Sequence, residues 1–282
     1  MKLKLSTLFV VLFVAATGFR AHAQWVRNPA NPIPRTKDGK PNLTAPAPRT
    51  ADGKPDLSGV WQAQGSPIPE LIKLLPNGEN GLGEDIPTKY FINVFADFPA
   101  GQAPLRPDAA AASTKLSILD VDGDDTGINC LPAGLPIVDT APAPFKIVQT
   151  SRVLMMLVEM NATFRQIFVD GRKHPDDAQP SWMGYSVGRW EGDTLVVETV
   201  GFNDRTLLDA FGHKHTTALH VTERFRRRDV GHMDVRMTLE DPGILTQPLT
   251  FTVPMRLLPD GDLIEAYCAE NEKDLKHVSI RH

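Results

Sequence analysis

The chain has 282 residues, of which 41% are hydrophobic and 23% charged, a globular composition that excludes disorder of the whole chain. Its 30 basic and 34 acidic residues give a net charge of −4, so it has no general electrostatic attraction to nucleic acid or anionic membranes. The length allows one large domain or two small ones, and the oligomeric state stays open.

The first 23 residues have the pattern of a secretory signal peptide. Lys2 and Lys4 precede an apolar run over residues 5–18, and the small residues Ala21 and Ala23 offer a cleavage site. The run is short for a membrane span, so cleavage is favoured over anchoring. We therefore predict an exported protein, periplasmic or secreted, with no membrane span.

The two cysteines, Cys130 and Cys268, are candidates for a disulfide. An exported chain meets an oxidising compartment, and an even number of cysteines favours pairing. Two unpaired buried thiols are the alternative. Nucleophilic cysteine catalysis is disfavoured because neither residue has a base and an orienting group nearby in the sequence.

A proline-rich stretch at residues 24–57 contains an internal repeat. The sequence PRTKDGKPNL at 34–43 recurs as PRTADGKPDL at 48–57. Asp-Gly turns and prolines predict an extended arm, and two copies do not make a solenoid. We divide the chain into a signal peptide at 1–23, the arm at 24–57 and a single β-barrel domain at 58–282 with an irregular insert at 63–144.

From residue 145 the sequence is dominated by strand patterns. Apolar and polar residues alternate in several runs, as in 233–239, which is typical of antiparallel sheets with one buried face. No long helical pattern separates the runs, so a parallel α/β fold is disfavoured. Nine sequential strands would strain an open sheet, so we predict an all-β, antiparallel up-and-down barrel over 145–268, joined by a strand at 58–62. The nine predicted strands are 145–149, 153–160, 163–169, 184–190, 194–202, 217–226, 233–239, 249–257 and 263–268.

Two patterns carry a resemblance to known families. Gly59-Val60-Trp61 followed by an antiparallel meander resembles the start of the lipocalin-like (calycin) barrels. The runs DGRKHP at 170–175, GRWEGDTLVVET at 188–199 and TERFR at 222–226 are similar to a family of secreted bacterial proteins with a Leu-Ser-Gly-Val-Trp start. The resemblance implies a barrel fold and export. It carries no established activity, so no catalytic residues follow from it.

The histidines of the segment 213–220 suggest two kinds of chemistry. His213 and His215 would present both rings on one side of an extended segment, and with His220 they are candidate ligands of a divalent metal. In an enzyme, His215 and His220 would be acid–base groups and Glu223 a carboxylate of raised pKa. His220 and Glu223 point to opposite faces of a regular strand, so they would meet only across a bulge near Val221 or Thr222. The alternative is a polar loop with surface histidines.

Three carboxylates fall on strand faces that otherwise read as apolar. They are Glu159, Glu198 and Glu223. Ionised carboxylates are not buried without partners, so we expect either a polar cavity or ion pairs with arginines such as Arg165 and Arg224 at the rim. Structural salt bridges are the favoured interpretation for at least two of the three.

The loops at 170–182 and 203–216 are expected at the mouth of the barrel, where ligand-binding loops cluster. The candidate ligand-binding residues are Asp170, Arg172, His174, Trp182, Asn203 and Arg224. Nucleotide-binding and serine-nucleophile motifs are absent from the sequence. The favoured function is therefore binding of a small, partly apolar molecule inside the barrel, and the alternative is an exported hydrolase, isomerase or lyase.

Overall fold

The computed structural model describes residues 33–75, 86–113, 131–264 and 266, and these contain nine β-strands that form one closed barrel. The sequence-predicted all-β, lipocalin-like fold is confirmed, because consecutive strands are neighbours around the whole ring. The strands are β1 (Gly59–Ala63), β2 (Phe145–Gln149), β3 (Val153–Val158), β4 (Thr163–Phe168), β5 (Tyr185–Glu191), β6 (Thr194–Val200), β7 (His220–Arg227), β8 (His232–Glu240) and β9 (Leu249–Leu257).

The barrel closes through β1, which pairs with β2 on one side and with β9 on the other. The strand predicted at 263–268 was wrong in its described part, because Leu263 and Ile264 have no strand structure. With β1 filling the gap between β2 and β9, no further strand is needed to close the ring. Cys130 and Cys268 lie outside the described residues, as does the predicted signal peptide.

One pair of neighbouring strands, β4 and β5, is parallel, whereas we predicted only antiparallel pairs. The physical reason is parity. Strand directions cannot alternate around a closed ring with an odd number of strands, so nine strands require a parallel pair. The chain meets this requirement in the connection between β4 and β5, which runs back from the end of β4 so that β5 begins in the same direction as β4.

The core lies inside the barrel and follows the alternation of each strand. Every second side chain of β8 and β9 is buried, including Met233, Val235, Phe251 and Val253. Fully buried Trp61 of β1 donates a hydrogen bond from Nε1 to the Leu57 carbonyl at 2.9 Å. The inward-facing apolar side chains form one contiguous cluster, and hydrophobic burial of this kind is the main stabilising term of the fold.

Short helices and loops pack onto the barrel from the described part of the 63–144 insert. The described helices are α1 (Ile68–Leu74), α2 (Lys89–Ile92), α3 (Pro107–Ser113) and α4 (Ile137–Thr140). Tyr90 of α2 stacks on the Phe251 ring at 4.5 Å, and all four residues of α4 are buried. None of the described helices is long and apolar enough to cross a bilayer.

The two copies of the N-terminal repeat fold into the same small loop. In each copy the threonine N–H bonds to the lysine carbonyl four residues on, at 2.8 Å for Thr36 and 2.9 Å for Thr50. The arginine of each copy then reaches a carboxylate outside the arm, Arg35 to Asp260 and Arg49 to Asp193. The described part of the arm is thereby held against the barrel.

Candidate functional site

A buried ion pair lies inside the barrel. Arg165 of β4 is 2% exposed and Glu223 of β7 is 0% exposed. Arg165 Nη1 donates to Glu223 Oε1 at 2.8 Å, and Nη2 donates to Oε2. Arg165 Nη2 also donates to Thr199 Oγ1 at 2.8 Å, and Nε donates to Ser186 Oγ at 3.0 Å. The positive charge of Arg165 is thus balanced by the carboxylate of Glu223 through a bidentate contact, which is the strong form of an arginine–carboxylate pair.

Strand alternation places this arginine and its partners on the inner face of the barrel. Arg165, Thr199 and Glu223 all occupy buried positions of their strands. The facing strand β5 contributes Ser186 and Gly188 at its buried positions. A Cβ atom at Gly188 would lie 3.0 Å from Val169 Cγ1 and 3.1 Å from Ile167 Cγ2, so a larger residue there would crowd these apolar side chains.

A second carboxyl group, that of Asp139 in α4, is buried beside the pair. Asp139 is 0% exposed, and its Oδ2 lies 3.9 Å from Arg165 Nη1. Among the described residues, no donor reaches either Oδ atom. Burial, and then the charge of Glu223, raise the pKa of Asp139 well above its usual value. A protonated Asp139 can donate a hydrogen bond to Glu223, whereas an ionised one would leave two carboxylates beside one guanidinium.

A cavity of about 450 Å³ opens in the barrel wall where β4 and β5 meet, a place we call the seam. The two strands pair through Ile167–Ser186 and Phe168–Val187. Before this point the chain segments separate, and the cavity is lined by residues 162–166 and 168 on one side, 181–186 on the other, and Pro132. Arg165 and Ser186 belong to this lining, so the seam cavity adjoins the buried ion pair.

Four aromatic side chains contribute to the wall of the seam cavity. They are Phe164 and Phe168 of β4, Tyr185 of β5 and Trp182 before it. Phe164 is 58% exposed, the highest value among the large hydrophobic side chains described. An exposed phenylalanine side chain beside a cavity leaves apolar surface in contact with water. Because a bound apolar molecule could cover this surface, Phe164 is a candidate ligand contact.

The segment before β5 is fixed by glycine and by backbone hydrogen bonds. Gly184 has φ +64°, and a Cβ there would lie 2.7 Å from Thr199 Cγ2 and 2.9 Å from the Val200 carbonyl oxygen. Ser181 N–H donates to the Gly201 carbonyl at 3.0 Å, which ties the segment to the end of β6. Trp182 is thereby held at the cavity wall, and the Arg205 guanidinium stacks over its ring at 4.7 Å.

The three histidines predicted as metal ligands do not converge. His213 Nδ1 lies 2.6 Å from Asp209 Oδ2, and His220 Nδ1 lies 3.3 Å from Glu240 Oε2 on the outside of the barrel. Both ring nitrogens of His215 are engaged, Nε2 with Thr206 Oγ1 at 2.6 Å and Nδ1 with the Thr216 carbonyl at 3.0 Å. The described residues contain no group of three or more His, Cys, Asp or Glu side chains arranged to hold a metal, so the structure does not support this site.

The predicted catalytic group of His215, His220 and Glu223 is not assembled either. β7 pairs in unbroken register with β8 from His220 to Arg227, so the bulge that would bring His220 and Glu223 together is absent. Glu223 faces the interior and Arg165, while His220 faces outward. Of the three carboxylates that we expected on apolar faces, Glu198 forms an ion pair. It contacts Arg189 at 2.5 Å on the outer surface of the barrel and does not lie on the apolar face. Arg165 does pair with Glu223, although in the interior and not at a rim.

Among the predicted ligand-binding residues, Trp182 lines the seam cavity and Arg172 lies next to it. Arg172 stacks over the Phe168 ring at 3.8 Å and donates to Tyr185 Oη at 3.2 Å. Its hydrogen bonds to Asp170 lower the pKa of that carboxyl to about 2.

The remaining predicted ligand residues make structural contacts of their own. His174 Nε2 lies 2.9 Å from the Glu198 carbonyl oxygen. Asn203 Oδ1 accepts from Arg205 N–H at 3.2 Å. Arg224 Nη2 donates to Glu191 Oε2 at 2.6 Å on the outer surface. None of these three residues lines the seam cavity.

Several residues of the site were not among the predicted ones. Phe164, Phe168, Tyr185, Ser186 and Asp139 lack any motif in the sequence. Arg165 was named only as a partner for a carboxylate. One signal was present in the sequence. Arg165 and Ile167 are two residues apart in β4, so their side chains lie on the same face of the strand, where an apolar residue is usual.

No protein-family model and no curated protein sequence matches the chain. The resemblance to a secreted bacterial family therefore stays a prediction. Among solved structures, the chain is similar to a mutant of the fluorescent protein UnaG, with 12% identity over 71% of this chain and 94% of that one and a TM-score of 0.29. A TM-score of this size reflects a distant likeness, so the fold assignment rests on the strand order of the chain itself.

Proposed function

We propose that the protein is an exported binding protein that holds a small, largely apolar molecule in the seam cavity. The observation that carries the proposal is the combination of an opening in the barrel wall with four aromatic side chains around it. Small-molecule sites typically occupy about 300–1,000 Å³ and are lined mainly by apolar and aromatic groups with a few polar ones. The seam cavity, at about 450 Å³, fits this description.

The asymmetry of the outer barrel surface supports the same position. Three of the five exposed large hydrophobic side chains among the described residues lie on the outer face of β2–β4: Val148 at 41%, Leu157 at 38% and Phe164 at 58%. The outer faces of β7–β9 carry polar residues instead, including Thr222, Arg224, Arg236, Thr238, Thr250 and Thr252. An apolar molecule approaching the protein therefore meets an apolar surface next to the seam.

The ligand position differs from our prediction from the sequence, which put it in the barrel interior. The inward-facing apolar side chains of the barrel pack into one contiguous cluster. The polar part of the interior is filled by Arg165 and its hydrogen-bond partners, including Glu223. The seam instead lies at the edge of this cluster, where Met183 and Trp182 are in contact with it. The enzymatic alternative has no comparable support, since its three residues do not meet.

Fluorescence binding tests the proposal directly. N-phenyl-1-naphthylamine is a neutral aromatic probe whose emission rises on transfer from water to an apolar site. We expect saturable binding that weakens at least about tenfold in Phe164→Ala and Trp182→Ala. Ile68→Ala is the matched control, because Ile68 is 44% exposed but lies in α1, away from the cavity. Equal probe affinity in Phe164→Ala, Trp182→Ala and Ile68→Ala would reject the seam as the binding site.

Export and the disulfide are separate parts of the proposal with their own test. Intact mass and N-terminal sequencing of the protein recovered outside the cytoplasm should give a chain that begins at Gln24. Alkylation without reduction should modify neither Cys130 nor Cys268 if they are paired. A chain that keeps its first 23 residues, or two alkylated thiols, would contradict the corresponding part.

A further inference from the structure

The arginine in the wall of the seam cavity would ordinarily indicate an anionic ligand. A guanidinium recognises carboxylates and phosphates through donors that are free to point at them. In this chain those donors are already used. Arg165 Nε bonds to Ser186, Nη1 to Glu223 and to Met156 Sδ at 3.8 Å, and Nη2 to Glu223 and Thr199.

The charge of Arg165 is also balanced within the network. Glu223 supplies one full negative charge at hydrogen-bonding distance. Asp139 stands beside them, completely buried, with no donor among the described residues to stabilise a carboxylate. With Asp139 protonated the three side chains sum to zero, and with Asp139 ionised they sum to −1. Burial raises the pKa of Asp139, which favours the neutral sum, and neither sum is positive.

Other charged groups near the opening lie outside the cavity wall. Arg172 forms an ion pair with Asp170 at 2.7 Å, and Arg152 Nη2 lies 3.7 Å from the same carboxylate, but none of these three side chains lines the cavity. Arg205 stacks over Trp182 and follows Asp204 in the chain, but it does not line the cavity. The inner wall, formed by Arg165 and Ser186, is therefore a polar surface without net positive charge.

We propose that the seam cavity selects neutral aromatic molecules and rejects aromatic anions, because Glu223 cancels the charge of the arginine in its wall. This inference rests on the proposed function, and it names the chemical class of the ligand at that site. It also assigns Glu223 a role in specificity, although Glu223 does not line the cavity.

Two probes that share one aromatic skeleton separate charge from shape. N-phenyl-1-naphthylamine is neutral, and 1-anilinonaphthalene-8-sulfonate adds a sulfonate to the same skeleton. The readout is the ratio of the two dissociation constants in each variant, since apolar affinity common to both probes cancels in comparisons between variants. In the wild type we expect the neutral probe to bind more tightly, with both affinities reduced in Phe164→Ala.

The decisive variant is Glu223→Gln combined with Asp139→Asn, which keeps the shapes of both side chains and removes both carboxyl groups beside Arg165, so that the guanidinium charge is left unbalanced. We expect the affinity for the sulfonate probe to rise at least about tenfold relative to the neutral probe, because an unneutralised guanidinium in a low-dielectric wall attracts anions strongly. Arg205→Gln is the matched control, and it should leave the ratio within about twofold of the wild type. An unchanged ratio in the Glu223→Gln, Asp139→Asn variant would overturn the inference. So would a wild-type preference for the sulfonate probe that Arg205→Gln abolishes.

A second double variant keeps the test valid if Glu223→Gln with Asp139→Asn does not fold. Arg165→Gln combined with Glu223→Gln replaces the ion pair with two neutral amides, and we expect it to bind the neutral probe within about threefold of the wild type. Loss of neutral-probe binding in a folded double variant would mean that the arginine charge itself holds the ligand, against the inference. If neither probe responds to Phe164→Ala, the proposed function fails as well, whereas a sulfonate preference at the seam refutes only the selectivity.

Discussion

Replacement of Asp139 by asparagine should make the protein more stable at neutral and alkaline pH. Asp139 is fully buried with no donor to its carboxylate among the described residues, and its pKa is raised by burial and by Glu223. Asparagine has the same shape, offers an amide donor to Glu223 and does not titrate. The variant therefore keeps the contact that a protonated Asp139 makes and removes the cost of ionisation.

The magnitude follows from proton linkage. An acid whose pKa is higher in the folded than in the unfolded chain stabilises the fold fully below its unfolded pKa, about 3.9 for aspartate, and loses this contribution as the pH rises toward the folded pKa. The free energy of unfolding then falls by at most about 1.4 kcal/mol per pH unit from this group. Between pH 5 and pH 7 the wild type should lose up to about 3 kcal/mol that Asp139→Asn retains.

Urea unfolding followed by tryptophan fluorescence at several values between pH 5 and pH 9 measures this difference. Asp176→Asn is the control, because Asp176 is an exposed carboxylate in the connection between β4 and β5. We expect the stability gap between Asp139→Asn and the wild type to widen with pH, and the gap for Asp176→Asn to stay constant. Parallel pH profiles for Asp139→Asn and the wild type would refute a buried, protonated Asp139.

Three other substitutions have defined outcomes. Gly184→Ala should destabilise the fold by about 1–3 kcal/mol in urea unfolding, because φ is +64° and the new Cβ would lie 2.7 Å from Thr199 Cγ2. Asp193→Asn should change the free energy of unfolding by less than about 1 kcal/mol, since its ion pair with Arg49 is exposed. His215→Ala should cost about 1–3 kcal/mol through the loss of one buried and one partly buried hydrogen bond, with no change in metal content by elemental analysis.

Most of the fold could be predicted because sequence patterns within single strands and turns determine it. Strict alternation in 233–239 and 249–257 fixes which side chains face the core, and β8 and β9 have these faces. The turn at Glu191-Gly192-Asp193 defines the hairpin of β5 and β6. The strand at 58–62 was predicted and closes the ring between β2 and β9, whereas the additional strand at 263–268 was predicted because only the complete ring shows that no further strand is needed.

The site was less predictable because it depends on distant parts of the chain. Arg165 and Glu223 are 58 residues apart, and Asp139 comes from a helix of four residues with no periodic pattern. The anomaly of Glu223 on an apolar face was visible in the sequence, but its partner was one of many arginines. Phe164 was predicted only as part of a strand, since exposure depends on what else covers the outer face.

The seam should also be the most easily opened part of the barrel wall. β4 and β5 pair through Ile167–Ser186 and Phe168–Val187, whereas β7 and β8 pair along eight residues from His220 to Arg227. Opening a local region costs less where fewer hydrogen bonds and buried contacts must break, so ligands would enter at this position without unfolding the rest.

Native-state hydrogen exchange tests this difference between neighbouring regions of one sheet. Amides of β4 and β5 that face the seam should exchange faster than those of β7–β9 by at least about tenfold, which corresponds to about 1.4 kcal/mol of local opening free energy. A bound neutral aromatic probe bridges both sides of the cavity, so it should slow exchange at the seam and leave β8 unchanged. Equal protection of the seam and of β8 in the free protein would mean that the Arg165–Glu223 network, and not the strand pairing, sets the stability of the wall, because its hydrogen bonds cross from β4 to β5, β6 and β7.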